Sequence, residues 1–151
     1  LYTGKTARSV GNCAAVPMTP AMRGEALSFD VMVNGAAFGE DFLRRRFARR
    51  RSAYLSGEVT HFLCYHAGRV VGMCDLFLHE GVAKIEDFDV APAYQRRGFG
   101  SAMLAQLVRR AEDRGAHTVY LITDDADTAQ EMYKKSGFVQ AAQKHEILFP
   151  V

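Results

Sequence analysis

The sequence is poor in cysteine, in surplus charge of either sign and in long apolar runs, and each shortage narrows what the chain can do. Its three cysteines, Cys13, Cys64 and Cys74, are an odd number with no CxxC pair. That pattern fits a reducing compartment, where an isolated cysteine behaves as a small buried apolar residue. The histidines (His61, His66, His79, His117, His145) are scattered without ligand spacing, so no metal site is expected. Lys plus Arg number 19 and Asp plus Glu 17, a net charge of +2. So even a balance gives no argument of its own for a nucleic-acid or membrane partner, and neither is expected. No apolar run is long enough to span a bilayer and the first residues lack a signal-peptide core, so the expected location is cytoplasmic. The chain begins with Leu1 rather than Met, as a trimmed or replaced start would.

What is present suits one globular domain: 151 residues, 48% hydrophobic and 24% charged. Residues 1–12 read as a loose segment and 13–151 as the domain. Cys13–Met18 is a candidate first strand. Thr19-Pro20 then offers an N-cap and a proline for a weakly patterned helix, which Asn34-Gly35 should break. A second helix runs from Glu40 to Gly57, with Leu43, Phe47 and Tyr54 on one face and six arginines between Arg44 and Arg51. Three strands follow, His61–His66, Arg69–Leu78 and Val82–Val90, joined by Ala67-Gly68 and Glu80-Gly81, an antiparallel meander. Met103, Leu104, Leu107, Val108 and Ala111 mark an amphipathic helix that Gly115 should cap. His117–Thr123 reads as a buried parallel strand. A last helix should start at Asp127 in a capping box with Gln130, end at Gly137 and lead into one or two strands over Phe138–Phe149. The expectation is an α/β (α+β) mixed sheet: a meander, then β-α-β-α-β, with helices on both faces.

The segment richest in chemistry joins the third meander strand to the amphipathic helix: Val90-Ala91-Pro92-Ala93-Tyr94-Gln95-Arg96-Arg97-Gly98-Phe99-Gly100-Ser101. Gly98 and Gly100 let backbone N–H groups approach an anion, the helix N-terminus adds favourable potential, and Arg96 and Arg97 add charge. A diphosphate suits such a site. The spacing is not that of a P-loop, which needs Gly-Lys-Ser/Thr, nor of a dinucleotide fingerprint, which needs a third glycine.

Gln95-Arg96-Arg97-Gly98-Phe99-Gly100 resembles the Q/R-x-x-G-x-G/A motif of the GNAT superfamily of N-acetyltransferases. The stretch from Ala129 through Tyr133-Lys134-Lys135-Ser136-Gly137-Phe138 is similar to the family's A-x-x-x-Y-x-K-x-G-F segment. The inferred element order matches as well, so the resemblance covers nearly the whole chain after residue 13. It implies acetyl-CoA as cosubstrate, with its pyrophosphate on the loop of Gln95, Arg96, Arg97, Gly98, Phe99, Gly100 and Ser101. It also implies that Phe88, Asp89 and Val90 pair with the pantetheine arm like an added strand. One departure is Ala126, flanked by Asp125 and Asp127, where the family often has Asn.

Acetyl transfer to an amine needs a neutral nucleophile, an oxyanion donor and stabilisation of the leaving thiolate. The resemblance implies a carboxylate base on the strand before the glycine loop, and Glu86 is favoured, acting through a water. Successive strand residues face opposite ways, so Glu86 and Asp87 should not both enter the site unless a bulge intervenes. Tyr133 matches the family's acid, and the N–H near Val90 its oxyanion donor. The arginines of Arg44–Arg51 read first as a solvated helix face. As a site they would favour an anionic acceptor, whereas Glu86, Asp87, Asp124 and Asp125 favour a cationic one. The expected acceptor is a primary amine on a small molecule, with a protein amine as the alternative. The sequence leaves the oligomeric state open, a homodimer included. Two competitors are a catalytically silent CoA-binding regulatory domain and, more distantly, a nucleic-acid module built on the arginine helix.

Overall fold

The computed structural model describes residues 1–4, 13–124 and 129–143. Its centre is a five-stranded sheet in sequential order: β1 (Ala14–Pro17), β2 (Val59–His66), β3 (Arg69–His79), β4 (Val82–Val90) and β5 (Thr118–Leu121). The first four strands are antiparallel, and two-residue turns join β2 to β3 and β3 to β4. Ala67-Gly68 (φ 48° and 73°) and Glu80-Gly81 (φ 46° and 77°) are left-handed at both central positions, as such turns require. β5 lies parallel to β4, reached by the crossover helix α4 (Phe99–Asp113).

The two sheet faces carry different layers. Phe62, Cys64, Val71, Cys74, Leu76, Ile85 and Val119 pack on Met103, Leu104, Leu107 and Val108 of α4 and on Tyr133 of α5 (Gln130–Lys135). Leu63 and Met73 on the opposite face meet Ala26 and Phe29 of α1 (Arg23–Phe38) and Phe47 of α2 (Glu40–Arg49). Cys64 and Cys74 are buried thiols.

Several elements differ from the sequence expectation. α1 runs through Asn34-Gly35 to Phe38 because Asn34 hydrogen-bonds Asp30 and Asp89 instead of its own backbone. Gly39, at φ 79°, ends it. The single helix expected from Glu40 to Gly57 breaks at Arg50, giving α2 and α3 (Arg51–Ser56). There the guanidinium is drawn inward to carboxylates on β3 and β4. Leu1–Thr3, expected to be loose, hydrogen-bond to Val119, Gly137 and Val139. Of the stretch Phe138–Phe149, where one or two strands were expected, residues 138–143 are described, and among them Phe138 forms an isolated bridge with Tyr2. The capping box at Asp127, the flanking residues Asp125 and Ala126, most of 1–12 and residues 144–151 lie outside the described residues.

Candidate active site

The loop after β4 is built to leave backbone donors free. Val90 closes the strand, Pro92–Tyr94 make one 3-10 turn, and Gln95 folds back so that its Nε2 donates to the Val90 carbonyl (2.9 Å). Arg96 (φ 57°) and Gly98 (φ 84°) are both left-handed, which turns the chain sharply into α4. The first intrahelical bond runs from the Ala102 N–H to the Gly98 carbonyl (3.0 Å). The N–H groups of Phe99, Gly100 and Ser101 therefore have no partner within the helix. Those donors, at the positive end of a 15-residue helix, favour an anion. Arg97 does not stand free above them: it donates to the Ala93 carbonyl (3.1 Å) and lies over the rings of Tyr94 and Phe99. Arg96 is exposed.

Gly100 also lies close against α5. A Cβ there would come within 2.7 Å of the Met132 sulfur, so the missing side chain lets the first turn of α4 sit against α5. α5 carries Tyr133, which is 8% exposed and packs edge-on against Phe88 (6.2 Å between ring centres) and Phe138 (6.4 Å).

Phe88 belongs to an open strand edge. β4 pairs with β5 from Val82↔Thr118 to Ile85↔Leu121 and no further. Glu86–Val90 continue along β3 on one side, and among the described residues no strand covers the other. An edge of this kind has unpaired peptide groups that an amide-bearing chain can meet as an extra strand. The edge leads from Tyr133 towards the free donors of α4.

These features coincide with a family match. The sequence profile of the acetyltransferase (GNAT) family fits residues 31–138. The chain belongs to this family. Among curated relatives it is 27% identical over 124 residues to the uncharacterized N-acetyltransferase CgeE of Bacillus subtilis (strain 168), covering 79% of this chain and 46% of that protein. It is 32% identical over 98 residues to the glucosamine 6-phosphate N-acetyltransferase of Trypanosoma brucei brucei, covering 60% of this chain and 63% of the other. The chain thus spans less than two thirds of the length of these relatives. A solved structure of AAC(6')-Iy, in complex with the bisubstrate analogue CoA-S-monomethyl-acetylneamine, superposes with a TM-score of 0.74 at 14% identity, over 93% of this chain and 100% of that one. At that identity the likeness speaks for the shared GNAT fold.

The GNAT sheet's other face holds a polar cluster that the sequence reading only partly anticipated. Opposite β3, Met73 pairs with Asp89 and Asp75 with Glu86, so β4 carries one extra residue. This bulge has Asp87 in a left-handed conformation (φ 46°). It puts Glu86 and Asp87 on the same side of the sheet, resolving which of them faces the helices: both do. Glu86 is paired with Lys84, and Asp87 with Arg50. Asp89 accepts from Asn34 Nδ2 (3.0 Å), and burial, above all, raises its carboxyl above the ordinary value, with Asp30 adding to the shift and the Asn34 bond opposing it.

Arg46 and Arg50 correct the reading of the arginine cluster as a solvated face. Arg46 holds Asp30 through both carboxylate oxygens (2.9 and 2.8 Å), and Arg50 bridges Asp75 (3.3 Å) and Asp87. Arg44 instead pairs with Glu40 in solvent. Asp75 is fully buried and also accepts from Tyr54 (3.2 Å) and from His61 Nδ1. Sequence reasoning missed Asp30, Asp75 and His61. A signal existed: Asp75 is a charged residue inside the apolar strand Val-Val-Gly-Met-Cys-Asp-Leu, and His61 shares strand parity with core residue Leu63.

Proposed function

We propose that the chain transfers the acetyl group of acetyl-CoA to a primary amine of a small molecule by direct attack. The observation that carries this reading is the open edge of β4 beyond Ile85, leading to the unpartnered N–H groups at the start of α4. In it, the pantetheine amides pair with Phe88, Asp89 and Val90, and the pyrophosphate lies on the loop from Gln95 to Ser101. The thioester then falls near Tyr133 on one side and the β4 bulge on the other.

An alkylammonium has a pKa of about 10.4 and must lose a proton before it can attack. Glu86 accepts that proton through a water, once Lys84 yields its hold on the carboxylate. The amine nitrogen bonds to the thioester carbon, and the Val90 N–H receives the negative charge that develops on oxygen. The C–S bond breaks and sulfur leaves as a thiolate, with Tyr133 as its hydrogen-bond or proton donor. A phenol at about 10 and a thiol at about 8.5 make full transfer slightly uphill, so hydrogen bonding does much of the stabilising. No acyl-enzyme is required.

The test is thiol release from acetyl-CoA with a polyamine, an amino acid, an aminoglycoside, an amino-sugar phosphate and a peptide amine offered in parallel. Turnover with a small amine supports the reading. Turnover with the peptide alone would replace it by protein acetylation. Tight acetyl-CoA binding with no turnover on any amine would replace it by a regulatory domain.

A further inference from the structure

Between the bulge of β4 and helices α1–α3 lies a small hollow, ≈ 10 Å³ of free space, walled by Asp30, Arg46, Arg50, Tyr54, His61 and Asp87 among others. That volume is about what one water, or the head of one ammonium group, occupies. Two observations set the chemistry of its occupant. The first is His61. Its side chain is 4% exposed, and its Nδ1 engages the Asp75 carboxylate, which only accepts, so Nδ1 carries the proton. In the neutral ring the opposite nitrogen, Nε2, is a lone-pair acceptor, and among the described residues it has no partner. A buried acceptor left unpaired is costly, so a donor belongs there. The second is charge. Beside the neutral ring, the three carboxylates of Asp30, Asp75 and Asp87 are ion-paired to two guanidinium groups, Arg46 and Arg50, which makes one more negative charge than positive. Arg50 takes Asp87 through Oδ2, leaving Oδ1 of that partly exposed carboxylate to other donors.

We infer that this hollow seats the second ammonium of a diamine acceptor. The inference rests on the acetyltransferase reading above and narrows its acceptor class. An ammonium brings a single positive charge and only donors, matching one surplus carboxylate charge, the Nε2 lone pair and Asp87 Oδ1. A phosphate or carboxylate would meet acceptors and surplus negative charge. Reach is consistent too: His61 on β2 stands two strands from β4, with Asp75 and Glu86 as the intervening and facing partners. Two ladder spacings are about 10 Å, of which a hydrogen bond from the ammonium to Nε2 takes about 3 Å, so a flexible diamine of about five carbons can hold one nitrogen in the hollow and bring the other to the outer edge of β4.

The experiment compares 1,5-diaminopentane with pentylamine and 5-aminopentan-1-ol on the full chain. Thiol release gives kcat and KM for each. In parallel, the ¹⁵N resonance of His61 Nε2 is followed as each amine is added without acetyl-CoA. The expected result is a KM at least about tenfold lower for the diamine, and a shift of the Nε2 resonance with the diamine but not with pentylamine. In Asp87→Asn, whose side chain tolerates the left-handed backbone, the KM ratio between diamine and pentylamine should collapse towards one. Equal KM values for diamine and monoamine, or an Nε2 resonance indifferent to diamine, would overturn the inference and leave the hollow to water. Because the resonance needs no turnover, failure of this inference is distinguishable from failure of acetyl transfer itself.

Discussion

At the scale of single residues, Tyr133 and Asp89 make the sharpest expectations. Tyr133 is buried between Phe88 and Phe138, so Tyr133→Phe keeps the packing and removes only the hydroxyl. If that hydroxyl meets the departing sulfur, kcat should fall by about a hundredfold with KM for acetyl-CoA nearly unchanged. An equal loss in binding would instead assign the hydroxyl to the ground state. For Asp89 the sign follows from its raised carboxyl. The folded chain holds that proton more tightly than the unfolded chain, whose group has the ordinary value of 3.8. Stability contributed by this group is therefore lost as pH rises from 3.8 through the folded value. Asp89→Asn escapes that loss, so its stability advantage over the parent should grow across this window and then level off. Urea melts at a series of pH values check this, and an advantage that shrinks with pH would refute it. Residues were legible where their chemistry is local: Gln95 to Ser101 stand on a recognisable turn. His61 and Asp75 were not, because their roles come from strand pairing between residues far apart in sequence.

At the scale of elements, Arg50 links the helical layer to the strand that carries the open edge. Its bridge to Asp75 and Asp87 breaks the helix between α2 and α3 and ties the β4 bulge in place. Arg50→Met would leave the buried Asp75 with fewer partners and should cost about 2–3 kcal/mol in a denaturant melt. A cost near zero would mean that Tyr54 and His61 alone satisfy Asp75. Contact between α4 and α5 depends on Gly100 in a similar way. Gly100→Val would push against the Met132 sulfur and should destabilise by about 1–3 kcal/mol while weakening acetyl-CoA binding. Stable protein with unchanged binding would contradict that packing. The meander, α4 and the parallel β5 were readable from period and turn residues, since those signals lie within each segment. The helix break at Arg50 and the passage of α1 through Asn34-Gly35 were not. Both are decided by side chains reaching distant carboxylates, Asp75 and Asp87 in one case and Asp89 in the other.

At the scale of the whole molecule, the sheet separates two tasks. One face buries α4 and α5 in an apolar core, and the other holds the ion network beneath α1–α3. The strand β4 serves both, with Phe88 and Val90 packed on the first face and Glu86, Asp87 and Asp89 turned to the second. Family membership was legible because the glycine loop and the Tyr133 segment are short, contiguous motifs. The acceptor was not, because the groups that would select it come from α1, α2, β2, β3 and β4 together. The central claim is that acetyl-CoA completes the open edge of β4 and lies on the start of α4. Residue-resolved amide hydrogen exchange, with and without acetyl-CoA, tests this most directly. The account predicts slowed exchange confined mainly to amides within Glu86–Val90 and Phe99–Ser101. Unchanged exchange in both segments at saturating acetyl-CoA, or protection centred elsewhere, would contradict it.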